Sequence, residues 1–99
     1  MPKKKIMRKA LEIYGSSAQI DMVIEEMSEL TKALLKYRRA IKSPAAYDYE
    51  KIKSNIAEEI ADVEIMLAQC KMIFECSAEV ENFKSIKLLR LQNRLETEK

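Results

Sequence analysis

The sequence predicts an all-α protein, and two observations carry that reading. Apolar residues recur at steps of three and four along most of the 99-residue chain, and one Gly and two Pro leave few breaks in the pattern. An antiparallel β protein needs far more turn residues than that. Met, Leu, Ile, Ala, Glu and Lys dominate, as they do in helical bundles. The expected architecture is one domain over residues 1–99, an antiparallel bundle of about four helices. A domain of this size buries only roughly 60–68% of its unfolded surface. Its core is therefore expected to be completed by homo-oligomerisation.

The elements follow in order. Ile6, Met7, Ala10, Leu11 and Tyr14 predict a first helix from about Lys3 to Tyr14. Gly15 stops it, and Ser16 with Gln19 has the spacing of a capping box for the next helix. That second helix is expected over Ser17 to Ile41, with a stripe of Ile20, Val23, Ile24, Met27, Leu30, Leu34 and Ile41. The ring of Pro44 disfavours helix at Ser43 and marks its end. After a loop over Ser43–Asp48, a third helix starts at Asp48 or a turn later and runs to about Glu75. Its stripe is Ile52, Ile56, Ile60, Val63, Leu67, Cys70 and Phe74, widened by Met66 and Ile73. Ser77 is the expected N-cap of a fourth helix, with Glu79 and Glu81 in its first turn. Leu88, Leu91 and Leu95 carry it to near Glu96.

Composition excludes several classes of function. The net charge is only +2, so the chain as a whole is not built to bind a polyanion such as nucleic acid. Lys3, Lys4, Lys5, Arg8 and Lys9 form a local basic run, read as a solvated helix start. No apolar run reaches the roughly 18–20 residues of a membrane span, and the charged start leads into an amphipathic helix rather than a signal peptide. Cys70 and Cys76 are separated by about 600° of helical rotation and about 9 Å of rise, so they are expected to be unbridged, as in a cytoplasmic protein. With no His in the chain, a Cys/His zinc site is excluded.

The carboxylates carry the chemistry. With Glu59 at 0° on a helical wheel, Ile56 falls at about 60°, Val63 at about 40°, Cys70 at about 20° and Met66 at about 340°. Glu59 is therefore inside the apolar stripe, with Asp62 at its edge and Glu58 turned away. An unpartnered carboxylate in such a stripe costs several kcal/mol. Two carboxylates a turn apart on one face suggest a cation that repays the cost. The second helix offers Glu26 and Glu29 on one face, with Glu25 about 100° away. If the two helices pack antiparallel, four carboxylates meet. Oxygen-only ligands select hard cations, Mg²⁺ first, with Mn²⁺ or Ca²⁺ after it.

The segments Gln19–Leu30 and Ile56–Leu67 hold Glu25-Glu26-x-x-Glu29 followed by Glu59-x-x-Asp62. In these motifs the chain resembles the MazG-like nucleotide pyrophosphohydrolases, within the all-α NTP pyrophosphohydrolase superfamily, and especially small forms from phages and prophages. The likeness spans roughly residues 6 to 95. It departs from the family in the 29 residues between Glu29 and Glu59, near the upper end of the family's range.

The resemblance implies that Glu26, Glu29, Glu59 and Asp62 are metal ligands and that Glu25 orients or activates the attacking water. It also implies that Lys87, Arg90 and Arg94 form a phosphate-binding edge. Gln19 is the candidate contact to the base. The implied reaction is Mg²⁺-dependent hydrolysis of a nucleoside triphosphate to monophosphate and pyrophosphate, by water attack on the α-phosphorus, in a homodimer or homotetramer. A narrower dUTP/dCTP or phosphoribosyl-ATP hydrolase, and a non-catalytic helical interaction module, are the alternatives. An exposed Glu59 would favour the module.

Overall fold

The computed structural model describes residues 1–43, 45 and 47–98, and all of its long elements are helices. They are α1 (Lys3–Tyr14), α2 (Ser16–Ala40), α3 (Tyr49–Phe74) and α4 (Ser77–Thr97). The all-α expectation holds, and the boundaries show how each helix is started and stopped.

A single glycine separates α1 from α2. Gly15 sits at φ 86° and ψ 156°, a region in which a Cβ is strongly disfavoured. Its N–H donates to the Leu11 carbonyl at 2.9 Å and closes α1, while its own carbonyl accepts from the Gln19 N–H at 3.2 Å and opens α2. The expected capping box does not form. Ser16 is already helical, no side chain caps the helix, and the Gln19 side chain turns into the core instead.

The C-terminus of α2 falls at Ala40, one residue before the expected end. Ile41–Ser43 continue as a turn, with the Lys42 N–H on the Arg39 carbonyl and the Ser43 N–H on that of Ala40. Arg38 and Arg39 in the last turn complement the helix dipole. Pro44, the expected terminator, lies outside the described residues. Asp48 caps α3, its Oδ1 accepting from the Lys51 N–H at 3.2 Å. Tyr47 bridges the rings of Tyr37 and Tyr49, with centroids 6.3 and 6.0 Å away, and ties the connection to α2.

At its other end α3 closes through Glu75, held in the left-handed region at φ 51°, with the Cys76 N–H reaching back to the Lys71 carbonyl. This is a Schellman-type stop built without glycine. Ser77 is not the cap of α4, as its position had suggested. It is the first helical residue, Cys76 precedes it, and no side chain caps the helix. Glu79 lies in the first turn, and Glu81 lies beyond it, paired with Lys84 at 3.2 Å.

The principal packing is between α2 and α3, with α1 against both. Two cross-helix pairings fix their direction: Gln19 meets Gln69, and Glu26 meets Glu59 and Asp62. As α2 advances α3 runs back, so the pair is antiparallel. The buried seam takes Gln19, Val23 and Ala33 from α2 and Val63, Met66 and Gln69 from α3. It therefore uses only one edge of the stripe read from the sequence. Ile24, Met27 and Leu34 on α2 and Ile41 just past its end stay exposed, as do Ile60, Leu67 and Phe74 on α3. The reason is geometric: one neighbouring helix covers only part of a broad stripe, and α4 does not cover the rest. Helix α4 has no buried residue and only marginal contact with the other helices. Within one chain, four helices do not enclose a common core.

Candidate metal centre

Glu26 of α2 and Glu59 and Asp62 of α3 offer three carboxylate oxygens that all lie within 4.8 Å of one another. Their placement follows from the antiparallel pairing. Glu26 stands two turns beyond Gln19 on the same face, and Glu59 and Asp62 stand two to three turns before Gln69. The Gln19 Nε2 donates to the Gln69 Oε1 at 2.6 Å, and the two residues are 7% and 5% exposed. This buried amide pair pins the register that brings the carboxylates together. Gln19 is thus accounted for as a core residue whose amide faces Gln69 rather than an open pocket. Its partner Gln69 was not singled out in the sequence, where a glutamine on a helix reads as solvated.

Glu59 is half-buried, one and two turns along α3 from the buried Val63 and Met66. Its Oε2 is buried and has no hydrogen-bond partner among the described residues. Among the described residues no Lys or Arg nitrogen lies within 4 Å of it. Burial pushes the Glu59 carboxyl above its ordinary pKa, and the charges of Asp62, Glu29 and Glu58 push it further. Burial likewise raises Glu26, with Asp62, Glu59, Glu25 and Glu29 adding to the effect.

The remaining sequence candidates stand at different distances from this cluster. Glu29 borders it, half-buried, with its Oε1 3.8 Å from the Lys32 Nζ, and it does not join the three converging oxygens. Glu25 is exposed, and its charge is felt at Glu26. Lys87, Arg90 and Arg94 are exposed on α4. No ion pair within 4 Å joins them to a carboxylate among the described residues.

The donor set fits a hard cation. All donors are carboxylate oxygens, and their span is comparable to the roughly 4.2 Å between oxygens on opposite sides of an Mg²⁺ ion. The orphaned Glu59 oxygen is the feature such an ion would satisfy.

The raised carboxyls set a pH dependence for the metal-free protein. A group whose pKa is higher in the folded state stabilises the fold below its unfolded pKa. That contribution is lost as pH rises through the folded value. In EDTA, the melting temperature is therefore expected to fall as pH rises above the ordinary carboxylate range, through Glu26 and Glu59. Glu59→Gln should flatten this slope. Parallel slopes for the two proteins would show that Glu59 titrates as it does in the unfolded chain.

Protein-family profiles, curated proteins and solved structures give no match to this chain. Among the described residues, no helix is long and apolar enough to cross a membrane.

Proposed function

We propose that the chain is a MazG-like, Mg²⁺-dependent nucleoside triphosphate pyrophosphohydrolase acting as a homodimer or homotetramer, with Mn²⁺ as a substitute metal. The observation that carries this reading is the buried, unpartnered Oε2 of Glu59 beside Glu26 and Asp62. A merely solvated acidic face has no reason to bury a carboxylate oxygen without a donor. This also weighs against the non-catalytic module.

Glu26, Glu59 and Asp62 would hold the cation, with the half-buried Glu29 beside them as the fourth carboxylate. The chemistry supplied there would be polarisation of phosphoryl oxygens and a more acidic bound water. Glu25, exposed and one residue from Glu26, accepts a proton from the attacking water in this reading. The buried Val63 and Met66 adjoin Glu59, whose Oε2 is out of contact with solvent. Lys87, Arg90 and Arg94 reach the cluster only if assembly brings an α4 over it. The thiols of Cys70 and Cys76 are free, in keeping with a reducing compartment.

Two measurements test the proposal. Pyrophosphate release is expected from a panel of ribo- and deoxyribonucleoside triphosphates with Mg²⁺ and not with EDTA. Turnover confined to dUTP, dCTP or phosphoribosyl-ATP would narrow the substrate. Metal at about 100 times its dissociation constant should add roughly 2.7 kcal/mol of stability, which raises the melting temperature by about 10 °C or more in a domain of this size. Identical melting curves in EDTA, Mg²⁺ and Mn²⁺ would remove the metal site and the proposal with it.

A further inference from the structure

Beyond the carboxylates, α2 carries Lys32, Lys36 and Arg39 on one face. They lie about 4.5, 10.5 and 15 Å along the helix axis from Glu29. Together with Glu29, and with Asn55 and Glu59 of α3, they line a cleft of about 290 Å³. A second depression of about 420 Å³ shares Lys36 and Asn55 and runs on to Lys51 beside Asp48. The two form a groove that starts at the carboxylate cluster and leads toward the N-terminus of α3.

The cations in this groove are largely unneutralised. Lys32 is 3.8 Å from Glu29, but its side chain is 76% exposed, so the pair is weak. Among the described residues Lys36, Arg39 and Lys51 have no carboxylate within 4 Å. Of the other acids lining the groove, Glu59 has no cation within 4 Å among the described residues, and Asp48 accepts from the Lys51 N–H as the cap of α3. The helix dipole alone does not explain the row. Arg38, in the same last turn, serves the dipole equally well and does not line the groove.

We propose that this groove binds the phosphate chain of a polyphosphate ligand, with Lys32, Lys36, Arg39 and Asn55 on the phosphoryl oxygens that lie beyond the carboxylate cluster. The proposal rests on the pyrophosphohydrolase reading for the position of the bond that is broken. It then gives the substrate a direction: the departing pyrophosphate lies along α2 toward Arg39, and the nucleoside lies toward the α1–α2 junction. It also supplies a phosphate edge within each chain, where Lys87, Arg90 and Arg94 depend on assembly.

The test is calorimetric titration of the full chain with inorganic triphosphate, in Mg²⁺ and in EDTA. The variants are Lys36→Gln/Arg39→Gln and the charge-matched Arg38→Gln/Lys42→Gln. Loss of charge-assisted hydrogen bonds is expected to weaken triphosphate binding about tenfold or more in the first variant. The control should stay within about twofold, because its charges are exposed and off the groove. Lys36→Arg, which keeps the charge, should retain most of the affinity. Equal weakening in both double variants, or no binding of triphosphate to the unaltered protein in either buffer, would overturn the groove. The Mg²⁺-dependent melting shift, read on the same proteins, reports separately on the carboxylates. Its absence alongside groove-dependent binding would remove the metal reading and leave the groove standing.

Discussion

Glu59→Gln is expected to lower pyrophosphate release by about a thousandfold or more, since under the proposed function it removes a central ligand of the cation that would stabilise the developing charge. The fold should survive. In the absence of metal the melting temperature should not fall, because the substitution removes a like charge from among Asp62, Glu29 and Glu58 and neutralises a buried oxygen that has no donor. Glu58→Gln, one residue away and exposed, should leave turnover within a few-fold, as about 100° of rotation takes it off the seam. A structural Glu59 bridged to a cation would give the opposite pattern, with stability lost and no influence of Mg²⁺. The paired readings are turnover and melting temperature for both variants, with and without Mg²⁺. Near-normal turnover in Glu59→Gln, or inactivity confined to Glu58→Gln, would place the catalytic face elsewhere on α3.

The position of Glu59 was legible in the sequence because a helix has a fixed angular step. Once Ile56, Val63, Met66 and Cys70 define a buried side, a carboxylate among them is displaced from where solvent would put it. The helix order and most boundaries were legible for the same reason, with Gly15 acting through its backbone geometry and Asp48 through its side-chain cap. The caps at Ser16 and Ser77 were misread. Capping depends on whether the hydroxyl-bearing residue precedes the first helical residue, and here Gly15 and Cys76 take that place. The Gln19–Gln69 pair was not legible because a polar residue shows its burial only when its partner, fifty residues away, is in position. The row Lys32, Lys36 and Arg39 was present at helical spacing. Its meaning depends on Asn55 and Glu59 forming the opposite wall, which only the antiparallel pairing supplies.

The second large effect expected is on assembly. The chain exposes 8131 Å², whereas a folded monomer of 11.5 kDa exposes about 5,800 Å². Its radius of gyration is 17.6 Å, against about 13 Å for a compact domain of this length. The excess of roughly 2,300 Å² is of the size that obligate interfaces bury. Much of it is apolar and ordered in rows: Ile24, Met27 and Leu34 on α2, Ile60, Leu67 and Phe74 on α3, and Phe83, Ile86, Leu91 and Leu95 on α4. The α2 and α3 rows flank the apolar depression formed by Leu34, Ile52 and Ile56, while the carboxylates and the basic row line the cleft shared by Glu29, Lys36 and Glu59. A second copy seated on the apolar rows would complete a four-helix core and leave the polar cleft open. Sedimentation equilibrium at micromolar concentration is therefore expected to give a dimer or tetramer, with a melting temperature that rises with protein concentration. Leu67→Glu separates the two possibilities. On a monomer, where Leu67 is 42% exposed, a charge there should shift stability by about 0.5 kcal/mol at most, as an ordinary surface substitution does. Across an interface it would desolvate a carboxylate against apolar side chains, so the variant should dissociate and melt far below the unaltered protein. A stable 11.5 kDa species that tolerates Leu67→Glu would mean that the exposed rows have no second copy to cover them.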